Sequence, residues 1–173
     1  QVGATANIDL EQLGSGNIIG GLNSAHGSMT PFDLDGTTMT LDVNQIGNNN
    51  KMLGDITSDT FTGIFDFDGD TNSYTIQVDP TNTYGADNSN VNVDVDGNTN
   101  TFSLDLATNA LASGADIDTI VQGDSNTVNI DLDVDSATNY IDLDGDSNTV
   151  NYDGDGYASG YFKLEHDGNS RSF

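Results

Sequence analysis

Carboxylates are the chemical group this chain holds in excess. They recur at alternate positions around a glycine, as Asp66, Asp68 and Asp70 before Asn72 in D-F-D-G-D-T-N, and as Asp142, Asp144 and Asp146 before Asn148 in D-L-D-G-D-S-N. Asp131, Asp133 and Asp135 form a third run, followed by Asp153 and Asp155. Hard oxygen donors at such spacings are what Ca²⁺ loops use. Here the glycine comes one residue earlier than in the D-x-[DN]-x-[DN]-G loop and no Glu closes it. The candidate Ca²⁺ ligands Asp66, Asp68, Asp70, Asp142, Asp144 and Asp146 therefore stand beside the plainer reading of a solvated acidic side, and no cofactor is required. Like carboxylates on neighbouring strands repel, which calls for counterions or raised pKa values.

Other chemistry has little to work with. His26 and His166 have no motif around them, and His26 with Ser28 lacks the G-x-S-x-G setting of an activated serine. There is no cysteine, so disulfides, thiolate metal sites and Cys nucleophiles are excluded. No phosphate-binding glycine loop occurs, and a net charge of −25 would repel phosphate. The sequence reads as a non-enzyme. The same charge excludes nucleic acid and anionic membranes as partners, and the short apolar runs exclude a spanning helix.

The elements that carry these side chains follow from the residue types. Asp outnumbers Glu 26 to 2, Asn, Thr, Ser and Gly abound, and Lys plus Arg total 3. Short polar side chains suit turns and strand edges and disfavour helices. At 173 residues the chain is sized for a single domain, 1–173. It opens on Gln1 rather than Met, as expected of an exported protein whose leader has been removed.

Six G-x-x-N tetrads have flanks that agree with one another, Gly14 to Asn17, Gly47 to Asn50, Gly69 to Asn72, Gly97 to Asn100, Gly123 to Asn126 and Gly145 to Asn148. Five residues after each glycine stands an apolar residue: Ile19, Met52, Tyr74, Phe102, Val128 and Val150. Two further on are Gly21, Gly54, Ile76, Leu104, Ile130 and Tyr152. Four before it the series is Leu10, Val43, Phe65, Val93, Thr119 and Ile141, and two before it Gln12, Gln45, Phe67, Val95, Val121 and Leu143. A period of two on both sides of a sharp bend means strand, bend, strand. One such unit cannot bury its own apolar side, so neighbours must stack on it. The fold expected is all-β, an irregular β-solenoid of six strand-bend-strand repeats, in which the Asn side chains pair with one another along the stack. The alternative is a β-sandwich of hairpins whose loops are the tetrads.

The pattern Gln-x-Gly-x-x-Asn with flanking alternate apolar residues resembles the repeat of the curlins, the subunits of bacterial curli fibres. The likeness is strongest at I-D-L-E-Q-L-G-S-G-N-I-I-G-G-L-N, with Gln12, Gly14, Asn17 and Asn23, then at L-D-V-N-Q-I-G-N-N-N-K-M, with Gln45, Gly47 and Asn50. Later repeats carry Phe67, Val95, Val121 and Leu143 in place of Gln. The resemblance implies a secreted β-solenoid that polymerises into extracellular fibres for biofilm or attachment, with Gln12 and Gln45 in a polar ladder.

Around the repeats, Val2, Ala4, Ala6, Ile8 and Leu10 share one side of an extended segment 1–10, a candidate donor strand for a neighbouring subunit. Residues 24–40 read as a surface loop with a hairpin at Asp35-Gly36, and 79–90 as a second loop. Phe61, Phe65 and Phe67 share one parity and belong to the core. A helical turn fits within 107–118. The stretch 157–173, with Tyr157, Tyr161, Lys163, Leu164, Arg171 and Phe173, is a candidate docking tail for an acidic neighbour. The partner expected is a second copy of the chain. The rival is a monomeric Ca²⁺-dependent adhesin module that binds a carbohydrate or a surface.

Overall fold

The computed structural model describes residues 5–22, 29–79, 86–107, 113–155 and 160–169. Among them there is no helix. The strands are β1 (Thr5–Leu13), β2 (Ile18–Ile19), β3 (Gly21–Leu22), β4 (Met29–Thr30), β5 (Phe32–Ile46), β6 (Lys51–Asp68) and β7 (Ser73–Val78). They continue as β8 (Ser89–Asp96), β9 (Thr101–Leu106), β10 (Ala115–Gln122), β11 (Thr127–Leu132), β12 (Ala137–Asp144), β13 (Thr149–Gly154) and β14 (Tyr161–Asp167).

Twelve of these form one sheet in the order β13-β11-β9-β7-β6-β8-β10-β12-β14, with β5 and β2 also on β6 and β1 on β5. Each of its pairings is parallel. The order turns on β6, whose Lys51–Ile56 pair with β7 while Thr62–Asp68 pair with β8. One arm of the sheet thus holds the strands that lead into the glycine bends, and the other holds the strands that leave them. The sheet curls so that both arms turn their apolar side to a shared core.

The in-register pairing lines like positions into files. Val43, Phe65, Val93, Thr119, Ile141 and Leu164 make one, and Gln45, Phe67, Val95, Val121, Leu143 and His166 the next. On the other arm Met52, Tyr74, Phe102, Val128 and Val150 align. Phe61, Phe65, Phe67, Tyr74 and Phe102 are fully buried, each contributing about 1.5–3 kcal/mol of apolar transfer. Phe67 and Tyr74 stack across the bend between the arms, with centroids 3.5 Å apart. Gly63 makes room for the rings of Phe61 and Phe65.

Several sequence expectations are corrected. The sandwich of hairpins fails because strands flanking a bend do not pair with each other: β8 pairs with β6 and β10, β9 with β7 and β11. The loop over 24–40 is in large part strand. Asp35 and Gly36 make no hairpin but pair in parallel with Thr57 and Ser58, so the chain passes this point extended. The antiparallel hairpin there is β3 with β4. That excursion splits the first strand after a bend: Ile19 pairs with Met52, and the chain returns at Phe32 opposite Gly54, so Phe32 rather than Gly21 fills the file. Over 107–118 the described residues show no helical turn, and from Ala115 they are strand, because Ala115, Ile117 and Thr119 alternate with Asp116 and Asp118. Residues 108–112 lie outside the described ones. Strand β8 begins at Ser89, inside the loop expected over 79–90.

Candidate functional site

The stacked bends are the most regular feature of the molecule, and each of their four positions has its own task. The first is glycine with φ between +112° and +151° in Gly14, Gly47, Gly69, Gly97, Gly123, Gly145 and Gly168. A Cβ at Gly97 would land on the carbonyl oxygen of Gly69, so glycine is demanded both by the backbone and by the neighbouring chain. The third position is left-handed, at φ from +61° to +72°, and is filled by Gly16, Asn49, Thr71, Thr99, Ser125 and Ser147. Thr71 and Thr99 are β-branched there, a conformation that costs on the order of 1–3 kcal/mol and is held by the stack.

The second and fourth positions bond the bends together. At the fourth, Asn50 N–H donates to Asn72 Oδ1 (2.7 Å), Asn72 N–H to Asn100 Oδ1 (2.8 Å), Asn100 N–H to Asn126 Oδ1 (2.7 Å) and Asn126 N–H to Asn148 Oδ1 (2.7 Å). In the later bends the side-chain nitrogens reach the preceding glycine: Asn100 Nδ2 donates to Gly69 O, Asn126 Nδ2 to Gly97 O and Asn148 Nδ2 to Gly123 O, each at 2.9 Å. Asn50 Nδ2 instead donates to Gly47 O of its own bend (2.8 Å), and Asn72 Nδ2, like Asn17 Nδ2, is buried without a hydrogen-bond partner. The ladder therefore runs from side chain to backbone, not from Asn amide to Asn amide as expected. The bend leaves backbone groups pointing along the stack, and these are the groups that must be satisfied.

The second position runs the other way, and sequence reasoning missed it. Asp70 N–H donates to Asn48 Oδ1 (2.7 Å), Asn98 N–H to Asp70 Oδ1 (2.6 Å), Asp124 N–H to Asn98 Oδ1 (2.6 Å), Asp146 N–H to Asp124 Oδ1 (2.6 Å) and Asn169 N–H to Asp146 Oδ1 (2.7 Å). The signal was present, since the residue after the glycine is Ser15, Asn48, Asp70, Asn98, Asp124, Asp146 or Asn169, always an oxygen acceptor. Gly168 opens a further bend, hidden in the sequence because Arg171 stands where the Asn would be. Of the expected Gln ladder, Gln45 Nε2 donates to Gln12 Oε1 (2.7 Å), and Phe67 follows in the file.

Apart from the buried Asp79, the acidic side chains of the described strands lie outside the core, in outward files they share with residues such as Ile120 and Gln122. Asp66 pairs with Asp94 and Asp68 with Asp96, while Asp142 pairs with Ile120 and Glu165, and Asp144 with Gln122 and Asp167. The two candidate Ca²⁺ runs are separated by β8 and β10 and do not meet. Asp70 and Asp146 spend an oxygen on the bend ladder. Among the described residues no three acidic or imidazole side chains are grouped so as to hold a metal ion. On the other arm Asp33 faces Asp55, and Asp105, Asp131 and Asp153 align. Burial, then the neighbouring carboxylates, push up the carboxyls of Asp55, Asp94, Asp131 and Asp133.

The stack ends in edges of different character. Strand β1, which covers much of the expected donor segment, pairs in parallel with β5, and among the described residues its other edge has no partner. Ala6, Ile8 and Leu10 point inward but are half-buried; Val2 and Ala4 lie outside the described residues. At the opposite limit β14 pairs with β12. Phe162 is 44% exposed and Leu164 is half-buried. Lys163 Nζ lies 2.7 Å from Glu165 and 4.9 Å over the Tyr140 ring, whose hydroxyl donates to Glu165 (2.6 Å). Tyr157, Arg171 and Phe173 of the expected docking tail, and His26 and Ser28, lie outside the described residues. Comparison with protein-family models, curated proteins and solved structures gives no match.

Proposed function

We propose that the chain is a β-solenoid of strand-bend-strand repeats whose activity is assembly: a structural subunit, secreted, that stacks end to end with copies of itself into extracellular filaments of a biofilm or attachment type. The observation that carries this reading is the edge of β1 that has no partner among the described residues. Inside the stack every such strand is bonded on both sides in register, and its apolar file is sealed by the next strand. At β1 the same edge and the same file stand open, which is a template for another strand of like pattern. The partner that best matches a repeating edge is a repeat. We assign no catalytic role, because the acidic residues serve as bend acceptors and strand-outer side chains, and His166 stands in an inward file beside Leu143.

Negative-stain electron microscopy of the purified chain at neutral pH, with and without excess EDTA, tests this. Uniform filaments in both conditions are the expected result. Dispersed particles that lose their β-structure in EDTA would overturn it and move the weight to a monomeric Ca²⁺-dependent adhesin module.

A further inference from the structure

We infer that the joint between copies is a parallel pairing of β14 of one copy with β1 of the next, in the register set by the glycine bends, and that Lys163 facing Asp9 across it selects this joint. The inference rests on the assembly reading above. Gly168 extends the line of glycines that begins at Gly14, and Gly145 N–H donates to Asp167 O (2.9 Å) as Gly14 N–H donates to Ile46 O (2.9 Å). Setting Gly14 of a second copy in the next place on that line puts Phe162 opposite Ile8, Lys163 opposite Asp9, Leu164 opposite Leu10 and His166 opposite Gln12. The inward files then continue across the joint, with the half-buried Ile8 and Leu10 meeting the incompletely covered Phe162 and Leu164.

The bend ladder continues as well. Asn17 Nδ2 is buried and has no hydrogen-bond partner. In this register it meets Gly168 O, as Asn148 Nδ2 meets Gly123 O within the chain. Asn169 Oδ1 meets the N–H of Ser15, as Asp146 Oδ1 meets that of Asn169.

Charge then decides which ends meet. Two β1 edges brought together would set Asp9 and Glu11 against their own kind. In the β14–β1 register Glu165 faces Glu11, a like pair that opposes the joint, and Lys163 lies directly opposite Asp9 and diagonal to Glu11. Lys163 is the cation within the outer files of this arm among the described residues. Without it the joint is purely acidic.

Assembly of the 173-residue chain at neutral pH and low salt, followed by light scattering and pelleting, tests the joint. Lys163→Glu should slow elongation about tenfold, and Lys163→Gln should fall between it and the wild type. The exchange Lys163→Glu with Asp9→Lys should regain most of the rate, with circular dichroism reporting the same folded chain throughout. A Lys163→Glu chain that assembles at the wild-type rate, or an exchanged chain as slow as the single variant, overturns the joint alone and leaves β1 to another occupant, such as an upstream segment of a longer chain. A wild-type chain that forms no polymer overturns the joint and the assembly reading together.

Discussion

Asn100 is half of two bonds that nothing else in the bend can make. Its Oδ1 accepts the buried N–H of Asn72 and its Nδ2 donates to Gly69 O, so the side chain closes one bend onto the one before it. Removing it leaves the buried N–H of Asn72 and the part-buried carbonyl of Gly69 without these partners, at a cost of up to about 1–3 kcal/mol each. Asn100→Ala is therefore expected to lower unfolding stability by about 2–4 kcal/mol, read as a shift of the urea midpoint with unchanged slope. Asp is the instructive second variant, since its carboxylate keeps the acceptor for Asn72 but loses the donor to Gly69, and only its protonated form regains a donor, the O–H. It should rank between wild type and Ala at acidic pH, where its carboxyl is neutral. A loss under about 0.5 kcal/mol for Ala would mean that water satisfies these groups and that the ladder is not what holds the bends.

At the scale of the element, the bend is specified by neighbours rather than by its own sequence. Gly16 and Gly97 are both glycines at positive φ, yet a Cβ at Gly16 meets nothing within 4 Å, whereas one at Gly97 collides with the Gly69 carbonyl. Gly16→Ala should cost about 1 kcal/mol from the backbone alone. Gly97→Ala must also push two bends apart, and it should abolish cooperative unfolding or yield insoluble protein; equal, mild effects on thermal melts would show that the bends are not in contact. This distinction also marks what could be read from the sequence. The alternation around the Gly97 tetrad predicted its inward files correctly, since Val93, Val95, Phe102 and Leu104 are all buried, but it failed after the first tetrad, where Phe32 takes the place expected of Gly21. Pairing partners were not readable locally: a strand, bend and strand look alike whether the two strands face each other or each pairs with the equivalent strand 22 to 33 residues away. Asp35-Gly36 misled for the same reason, because the dipeptide favours a hairpin only when its flanks can pair with each other, and here β6 takes both flanks. The second-position ladder was overlooked because Ser, Asn and Asp look like generic turn residues until the bends are stacked.

On the scale of the whole molecule, the in-register stack that builds the core also aligns charge. Parallel pairing puts Asp105, Asp131 and Asp153 side by side, and Asp55 beside Asp33, in a chain of net charge −25. Burial and then this crowding raise the carboxyls of Asp55, Asp94, Asp131 and Asp133 in the folded state. A carboxyl whose folded pKa lies above its unfolded value binds more protons when folded, so stability falls as pH rises through the raised values and is recovered as pH drops toward the ordinary carboxylate range. Glu165 has the opposite sign: Lys163 first and Tyr140 second hold it below its ordinary value, so its contribution is present above the unfolded pKa and is lost as pH falls through the lowered one. It is a single exposed group against four. The urea midpoint should accordingly rise as pH is lowered from 7 toward about 4.5, and salt added at pH 7 should raise it too by screening the files. The acid profile and the salt effect must appear together if like-charge crowding is the cause. A midpoint that falls on acidification would mean that the carboxylates are paired in the native state, as tightly bound cations between the Asp files would pair them. In the proposed assembly the same repulsion would act between copies as within one, because each added subunit would lengthen the acidic files. Filament growth should therefore quicken on mild acidification in parallel with the gain in stability, and growth that slows while stability rises would separate the charge of the joint from the charge of the stack.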